Sequence, residues 1–182
     1  MSDEELVVLV DEHGRPAGTA PKQSVHSDQT PLHLAFSCYL FGEDDRLLVT
    51  RRSLGKLTWP GVWTNSFCGH PGPDEPVEAA IHRRAGQELG ARIRDLQVVA
   101  PDFRYRAVDA SGVVENELCP VFVAHLAGEL SPDREEACEW EWISIDDAAD
   151  AVARAPFAFS PWLVLQLPHV QEARRRTLAA AR

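Results

Sequence analysis

The sequence has no pair of closely spaced cysteines and no apolar run near the roughly 18–20 residues that a membrane-spanning helix needs. It is also short of basic residues: 18 Lys and Arg face 28 Asp and Glu, so the formal net charge is -10. This balance argues against general binding to nucleic acid or to an anionic membrane surface. A secretory signal would open with Lys or Arg, whereas this chain opens with acids. We therefore expect a cytoplasmic protein with reduced thiols.

The residues that are present describe one globular domain. The chain has 182 residues, of which 45% are apolar and 25% are charged, enough for a single core. Apolar and alternating segments bounded by turn residues predict strands at Leu6–Val10, Ala17–Ala20, Leu32–Phe41, Arg46–Arg52, Val98–Ala107, Val113–Leu126 and Glu139–Ile145. Helical spacing and end signals predict helices at Glu75–Leu89, Asp146–Arg154 and Pro161–Ala180. The mixture predicts an α/β (α+β) fold, a mixed β-sheet sandwich flanked by helices.

The predicted helix Glu75–Leu89 belongs to a longer pattern that resembles the Nudix box, and this implies a Nudix-like form of that sandwich. The matching positions are Gly69, Glu75, Arg83 and Glu88-Leu89-Gly90. In Nudix hydrolases, acids at helical spacing on this helix hold the Mg²⁺ ions that activate water. Arg84 and Gln87 stand at two of the three acid positions, and only Glu88 remains. The pattern therefore points away from hydrolysis, while Glu88 can still hold one Mg²⁺ with a diphosphate.

Three histidines and two acids form a candidate metal site: His26, His33, His70, Glu115 and Glu117. Because strand residues two apart share a face, the two glutamates can reach one site together. Three imidazoles with two carboxylates suit an octahedral Mn²⁺ or Mg²⁺ better than a tetrahedral structural zinc. From spacing alone an alternative stays open, in which the histidines are hydrogen-bonded core residues and the glutamates lie on a solvated strand face.

Cys68 is a candidate acid or base. A free cysteine is most often a small core residue, but a thiol whose pKa is lowered by cations from about 8.5 can transfer protons. Gly69 beside it allows a ligand to approach the backbone. The other cysteines, Cys38, Cys119 and Cys138, lie in apolar strand sequence and are assigned to packing.

Four cations are candidates for binding an anionic ligand: Lys22, Arg52, Lys56 and Arg84. Each lies in or beside a loop or helix near the Cys68 segment, and Lys and Arg suit phosphate oxygens. Taken singly, each cation is more often a solvated surface residue. Arg51 is next to Arg52 on a predicted strand, so the two should point to opposite faces and at most one faces the site.

Over nearly its whole length the sequence resembles the type I isopentenyl-diphosphate isomerases, which have the Nudix fold without Nudix hydrolase activity. The motifs that carry the resemblance are Leu32-His33-Leu34-Ala35-Phe36-Ser37, Trp59-Pro60-Gly61-Val62-Trp63-Thr64-Asn65-Ser66, Cys68-Gly69-His70-Pro71, Tyr105-Arg106-Ala107, Glu115-Asn116-Glu117 and Phe159-Ser160-Pro161-Trp162. Such enzymes interconvert isopentenyl and dimethylallyl diphosphates, the step that supplies the electrophile for isoprenoid synthesis.

The resemblance implies a role for each candidate residue. Cys68 and Glu117 would be the catalytic pair on opposite faces of the substrate. Tyr105 would hydrogen-bond Glu117, and Trp162 would stabilise a carbocation through its π face. The four cations Lys22, Arg52, Lys56 and Arg84 would bind the diphosphate of a small-molecule substrate.

The resemblance also implies two metal ions. His26, His33, His70, Glu115 and Glu117 would hold one divalent ion, Mn²⁺ first, with Zn²⁺ or Mg²⁺ as alternatives. Glu88 and the backbone carbonyl of Cys68 would hold a Mg²⁺ that arrives with the diphosphate.

The expected layout is one domain over residues 1–182. Residues 1–30 form an N-terminal arm that contributes to the site, residues 31–145 the Nudix core and residues 146–182 the C-terminal helices; a monomer is the default. Two alternatives stay open. A Nudix pyrophosphohydrolase acting on a nucleotide diphosphate is disfavoured by Arg84 and Gln87. A non-enzymatic Nudix-fold binding module gives no reason for Cys68, the histidines and the paired glutamates together.

Overall fold

The computed structural model describes residues 5–180. Residues 1–4 and 181–182, the ends of the predicted arm and of the predicted C-terminal segment, lie outside the described residues. The helices are α1 (Lys22–Val25), α2 (Val77–Leu89), α3 (Ile145–Arg154) and α4 (Pro161–Ala180). The strands are β1 (Leu6–Val10), β2 (Pro16–Pro21), β3 (His33–Leu34), β4 (Phe36–Phe41), β5 (Leu47–Arg52), β6 (Trp63–Thr64), β7 (Phe67–Gly69), β8 (Arg92–Ala100), β9 (Arg104–Val108), β10 (Val114–Leu118), β11 (Val121–Ala127) and β12 (Ala137–Ile143).

These strands form two sheets. The first has the order β2-β1-β3-β10-β9, and the second has the order β12-β5-β4-β11-β8, with β6 paired to β5 and β7 paired to β4. Pairing is parallel between β3 and β10 and between β4 and β11, and antiparallel between neighbours such as β10 and β9. The predicted fold class, a mixed β-sheet domain flanked by helices, is confirmed.

Two neighbouring chain segments pass from the first sheet into the second side by side. One passes at Ala35, between β3 and β4, and the other at Cys119 and Pro120, between β10 and β11. The Ala35 N–H donates to the Leu118 carbonyl at 2.9 Å, and the Ser37 N–H donates to the Pro120 carbonyl at 3.1 Å. Because proline has no N–H, the ladder of β10 cannot continue unbroken through this position. The parallel pair β3–β10 thus leads directly into the parallel pair β4–β11.

Three segments that we predicted as single strands are each two strands in the structure, so these predictions were wrong. Leu32–Phe41 is β3 followed by β4, and Val113–Leu126 is β10 followed by β11. Val98–Ala107 covers the end of β8, a turn and the start of β9. In the first two segments the apolar pattern runs through the break because residues on both sides of it are buried, so periodicity alone does not mark where the chain changes partner.

Helix α2 begins after Pro76 and ends at Gly90, whose φ of 56° is left-handed. The predicted start at Glu75 was two residues early. Instead of joining the helix, the Glu75 carboxylate turns back and accepts a hydrogen bond from Arg83 Nε at 2.8 Å. Two Nudix-box residues therefore fasten the loop before α2 to the helix itself.

The approach of α2 to β7 explains the first glycine of the box. A Cβ placed on Gly69 would lie 2.8 Å from Arg84 Cγ and 2.9 Å from Phe36 Cζ. The Phe36 ring belongs to the core, so a side chain at this position would force the helix away from the sheet. Gly69 thus lets α2 lie against the strand that carries Cys68.

The second sheet is covered on both faces. Alternate residues of β4 pack against α2 in one apolar cluster and against α3 and α4 in another, so that β4 is buried along its whole length. Such two-sided burial explains the continuous apolar sequence of this strand. Within residues 5–180, no helix combines the length and the apolar character that crossing a lipid bilayer demands.

Candidate active site

A cavity of about 400 Å³ is lined by residues from both sheets and from α1, α2 and α4. This volume is within the range of small-molecule pockets, roughly 300–1,000 Å³. The predicted site residues that line it are Lys22, His26, Arg52, Lys56, Cys68, His70, Arg84, Glu88, Tyr105, Glu115, Glu117 and Trp162. The remaining predicted residue, His33, is fully buried and joins the cavity through its contacts with Glu117. The fold thus brings all the predicted residues to one place.

Four of the five predicted metal ligands form one cluster: His26, His33, His70 and Glu117 each offer a ligand atom, and these atoms lie within 4.8 Å of one another. The parallel register of β3 and β10 places His33 opposite Glu117. The fifth residue, Glu115, lies at the edge of this cluster, with its Oε2 3.0 Å from His26 Nε2. Glu115 and Glu117 share a face of β10, as strand alternation predicted, and both are buried.

Several polar atoms of this cluster lack a hydrogen-bond partner although they are buried. These atoms are His26 Nε2, His33 Nε2, His70 Nδ1 and Glu115 Oε2. A buried polar atom without a partner is costly, and a cation bound among these side chains would satisfy the donor atoms that face it. The cluster therefore fits a divalent metal ion better than it fits a set of satisfied core histidines.

His33 shows how the fold prepares one of these atoms. Its Nδ1 lies 3.0 Å from the Pro31 carbonyl, which can only accept, so this nitrogen carries the proton. In the neutral imidazole the lone pair is then on Nε2, which faces Glu117 Oε1 at 3.6 Å. Fixing the tautomer of an imidazole through its other nitrogen is the usual way in which proteins orient a histidine toward a metal.

Glu117 accepts hydrogen bonds from two sides. Tyr105 Oη donates to its Oε2 at 2.9 Å, and His70 Nε2 lies 3.2 Å from its Oε1. Burial by itself would raise the pKa of this carboxyl, but hydrogen bonds and charge from His33 and His70 hold the pKa well below its usual range. Burial also opposes charge on His33, yet the contact with Glu117 outweighs it and raises the His33 pKa.

Cys68 faces the cavity from β7, with its thiol held on the protein side. Its Sγ lies 3.3 Å from Ser37 Oγ and 3.3 Å from Asn65 Oδ1. We expected nearby cations to lower its pKa, and this was wrong: burial raises the pKa of the Cys68 thiol to about 12. A hydrogen bond with Ser37 opposes the rise, while the charge of Glu117 adds to it. Sequence could not reveal this because burial outweighs local charge.

Trp162 closes the apolar part of the cavity from the first turn of α4. Its ring is buried, meets the edge of Trp59 at a centroid distance of 5.6 Å and lies 5.9 Å from the Tyr105 ring. The Arg52 guanidinium is 5.2 Å from the Trp162 centroid. The indole therefore already faces positive charge within this cavity.

The four predicted cations are far apart in sequence, but all of them line the cavity. Arg52 donates from Nε and Nη2 to the Thr58 carbonyl, at 3.1 and 2.8 Å. Its neighbour Arg51 points the other way and pairs with Glu139 at 2.9 Å, as the alternation of β5 predicted. Each of the other cations pairs with a carboxylate, Arg84 with Glu88 from Nε at 2.8 Å.

Two of these carboxylates were not anticipated. Glu136 contacts the Lys56 ammonium and lies 3.3 Å from Arg84 Nη2. Glu5 receives a hydrogen bond from Lys22 Nζ at 2.9 Å. No motif marks either acid in a single sequence, because each acquires its role only through the cation that the fold brings beside it.

Residues 31–163 match the family model of the NUDIX domain, and solved structures with this fold resemble the chain throughout. A protein of Deinococcus radiodurans superposes with a TM-score of 0.71 at 16% identity, covering 90% of this chain and 98% of its own. A Nudix hydrolase from M. Smegmatis superposes with a TM-score of 0.55 at 18% identity, covering 93% of this chain and 94% of its own. At these identities the likeness concerns the fold.

Curated relatives narrow the family further. The protein of Clavibacter michiganensis subsp. michiganensis named isopentenyl-diphosphate Delta-isomerase is 60% identical over 90% of this chain and 84% of its own length. A protein of the same name from Paenarthrobacter aurescens is 56% identical over 99% of this chain and 98% of its own. One from Salmonella arizonae is 53% identical over 90% of both. The chain belongs to the isopentenyl-diphosphate Delta-isomerases, a family with the NUDIX domain.

Proposed function

We propose that this chain interconverts isopentenyl diphosphate and dimethylallyl diphosphate. The observation that carries the proposal is one cavity in which a thiol, a buried carboxyl and an indole lie together with four cations. Three of these elements suit the proton transfers of an alkene isomerisation, and the cations suit the diphosphate that both isomers carry. The names of the curated relatives support the same reaction.

The reaction moves one proton in and one proton out. A proton adds to the terminal alkene carbon and leaves a tertiary carbocation. A different proton then leaves the methylene on the other side of the cationic carbon, so that the double bond moves by one position and nothing is consumed. Cys68 and Glu117 are the proposed pair, one giving and the other taking, on opposite faces of the five-carbon tail.

The carbocation needs a neighbour that stabilises positive charge without forming a bond. The π face of Trp162 supplies this, at about 2 kcal/mol when the contact is desolvated. Tyr105 holds Glu117 through its hydroxyl and so directs the carboxyl. Burial of the cavity keeps water, the competing nucleophile, away from the cation.

The donor atoms suit two divalent ions. His26, His33, His70, Glu115 and Glu117 would hold one, for which Mn²⁺ fits first and Zn²⁺ or Mg²⁺ are alternatives, and Glu88 with the Cys68 carbonyl would hold a Mg²⁺ beside the diphosphate. A bound ion at the first site would fix the orientation of Glu117 and make any proton on it more acidic. The diphosphate itself would be held by Lys22, Arg52, Lys56 and Arg84. One chain supplies all of these groups, so a monomer suffices for the proposed reaction, which we place in the cytoplasm.

The test is turnover in heavy water. Purified protein incubated with Mg²⁺ and isopentenyl diphosphate should yield dimethylallyl diphosphate that carries deuterium, detected by mass spectrometry. Cys68→Ala and Glu117→Gln should each lower kcat by at least about 100-fold, the loss expected for a positioned acid or base. Absence of both isomer and label in the wild-type protein would defeat the proposal. Release of phosphate from a panel of nucleotide diphosphates would instead favour a hydrolase.

A further inference from the structure

Asn65 lies between β6 and β7, is fully buried and does not line the cavity. Its side-chain nitrogen donates to the Cys38 carbonyl at 3.1 Å and to the Phe67 carbonyl at 2.8 Å. Both partners can only accept, so the nitrogen and the oxygen of this amide cannot be exchanged. The backbone of two strands therefore determines where Oδ1 points.

That oxygen accepts hydrogen bonds from both groups that the proposed reaction places beside the carbocation. Trp162 Nε1 donates to it at 2.9 Å, and Cys68 Sγ lies 3.3 Å from it. The Thr64 hydroxyl donates to the same atom at 3.0 Å. One buried acceptor thus ties a residue of β7 to a residue of α4, although the two are far apart in sequence.

We propose that Asn65 is a positioning residue that fixes the Cys68 thiol and the Trp162 indole relative to each other across the substrate tail. The inference rests on the proposed function, because the thiol and the indole matter together only if a carbocation forms between them. Without the shared acceptor each group keeps its rotamer freedom, and a displacement of about 1 Å in a reacting group can cost about 100-fold in rate. None of the hydrogen bonds of this amide involves the four cations proposed for the diphosphate, so binding at that end should be unaffected.

The experiment compares Asn65→Ala with wild-type protein in the isomerase assay. We expect kcat to fall at least tenfold while KM changes less than twofold, and we expect inorganic pyrophosphate to bind with unchanged affinity in calorimetry. The matched control is Gln166→Leu. Gln166 is another fully buried amide, which accepts a hydrogen bond from the Tyr39 hydroxyl at 3.0 Å and has no hydrogen bond to Cys68 or Trp162. This variant should melt at a lower temperature and keep its kcat within twofold of wild type.

Trp162→Phe provides a second test that does not depend on the folding of Asn65→Ala. It keeps an aromatic ring and removes the donor to Asn65 together with part of the π surface of the indole. Its kcat should fall at least about threefold at unchanged KM. The inference is overturned if the wild-type protein is active and Asn65→Ala has the same kcat, or if Gln166→Leu loses as much kcat as Asn65→Ala. Where Asn65→Ala does not fold, an unchanged kcat in Trp162→Phe overturns it. An inactive wild-type protein would instead overturn the proposed function itself.

Discussion

The two ends of the cavity are prepared for ligands in opposite ways. At the end where we propose a metal ion (the metal end), buried nitrogen and oxygen atoms of His26, His33 and Glu115 have no hydrogen-bond partners. At the end where we propose the diphosphate (the diphosphate end), the cations Lys56 and Arg84 are paired with carboxylates of the chain itself. At the first end a bound cation would satisfy buried donor atoms, whereas at the second end a ligand would have to displace partners that the chain supplies.

This difference predicts that a ligand at the first end stabilises the fold, whereas a ligand at the second end exchanges with carboxylates of the chain. An unsatisfied buried cluster binds its ion as part of the folded structure, so the ion should behave as a permanent component that stabilises the protein. A set of neutralised cations can change partners at a modest free-energy difference, because one ion pair replaces another. The metal end should therefore control whether the enzyme works, and the diphosphate end how much substrate it needs.

The largest effect is expected from His33→Ala. Removing this ligand should lower the metal content of the purified protein from about one ion per chain toward zero and reduce kcat, because Glu117 loses its orientation. Loss of an ion present at 100 times its Kd removes about 2.7 kcal/mol of stability, or roughly 5–10 °C in Tm. Elemental analysis and thermal unfolding with and without a chelator measure both quantities.

The control for this change is His82→Ala, since His82 is exposed on α2 and outside the cluster. It should keep the metal content, and a chelator should lower its Tm as in the wild-type protein. Unchanged metal content in His33→Ala would show that the converging atoms do not form a metal site and would remove the contrast between the two ends.

The second effect concerns Arg52, and the neighbouring strand position provides its control. Arg52→Gln should raise KM by about tenfold or more, since a charge-assisted hydrogen bond contributes about 1.5–3 kcal/mol. Arg51→Gln removes the same charge from the opposite face of β5, where its partner is the exposed Glu139, and should leave KM within twofold. Steady-state kinetics at several substrate concentrations separates KM from kcat. Equal effects of the two changes would mean that the net charge, rather than the site, attracts the diphosphate.

Local pattern anticipated much of this arrangement. The shared face of Glu115 and Glu117 followed from strand alternation, the opposed directions of Arg51 and Arg52 from the same rule, and α2 from its apolar stripe and terminal glycine. Family resemblance then related residues that are distant along the chain, such as Cys68 and Glu117. Both kinds of evidence are read from short segments of sequence.

The parts that escaped prediction depend on tertiary contacts. The crossing at Ala35 and Pro120 interrupts no apolar pattern, so two sheets looked like one set of longer strands. The raised pKa of Cys68 comes from burial, which a list of neighbouring charges does not reveal. Glu136 lies in no motif, and Asn65 lies in a quoted motif without an assigned role, because only tertiary hydrogen bonds and ion pairs define what each residue does.

The third effect tests whether the diphosphate end exchanges its partners. Burial would raise the pKa of the Glu136 carboxyl, but the neighbouring charges of Lys56 and Arg84 outweigh it and keep this pKa below its usual value. Glu136→Gln removes this competing charge and should tighten the binding of inorganic pyrophosphate without Mg²⁺ by roughly fivefold, about 1 kcal/mol. Glu135→Gln, an exposed neighbour, is the control and should change nothing. Weaker binding by Glu136→Gln would show that the carboxylate assists the ligand instead of competing with it.

The smallest effect is expected at Glu5, where the diphosphate would displace a carboxylate that is more exposed to solvent. The Glu5 side chain is 48% exposed against 24% for Glu136, so water and salt screen its pair with Lys22 more strongly. Glu5→Gln should tighten pyrophosphate binding by no more than about twofold, and the gain should vanish in high salt while that of Glu136→Gln persists in part. Glu12→Gln removes an exposed acid whose partner is Arg104 and serves as the control. A larger gain at Glu5 than at Glu136 would mean that the residue before β1, rather than the segment before β12, limits entry of the diphosphate.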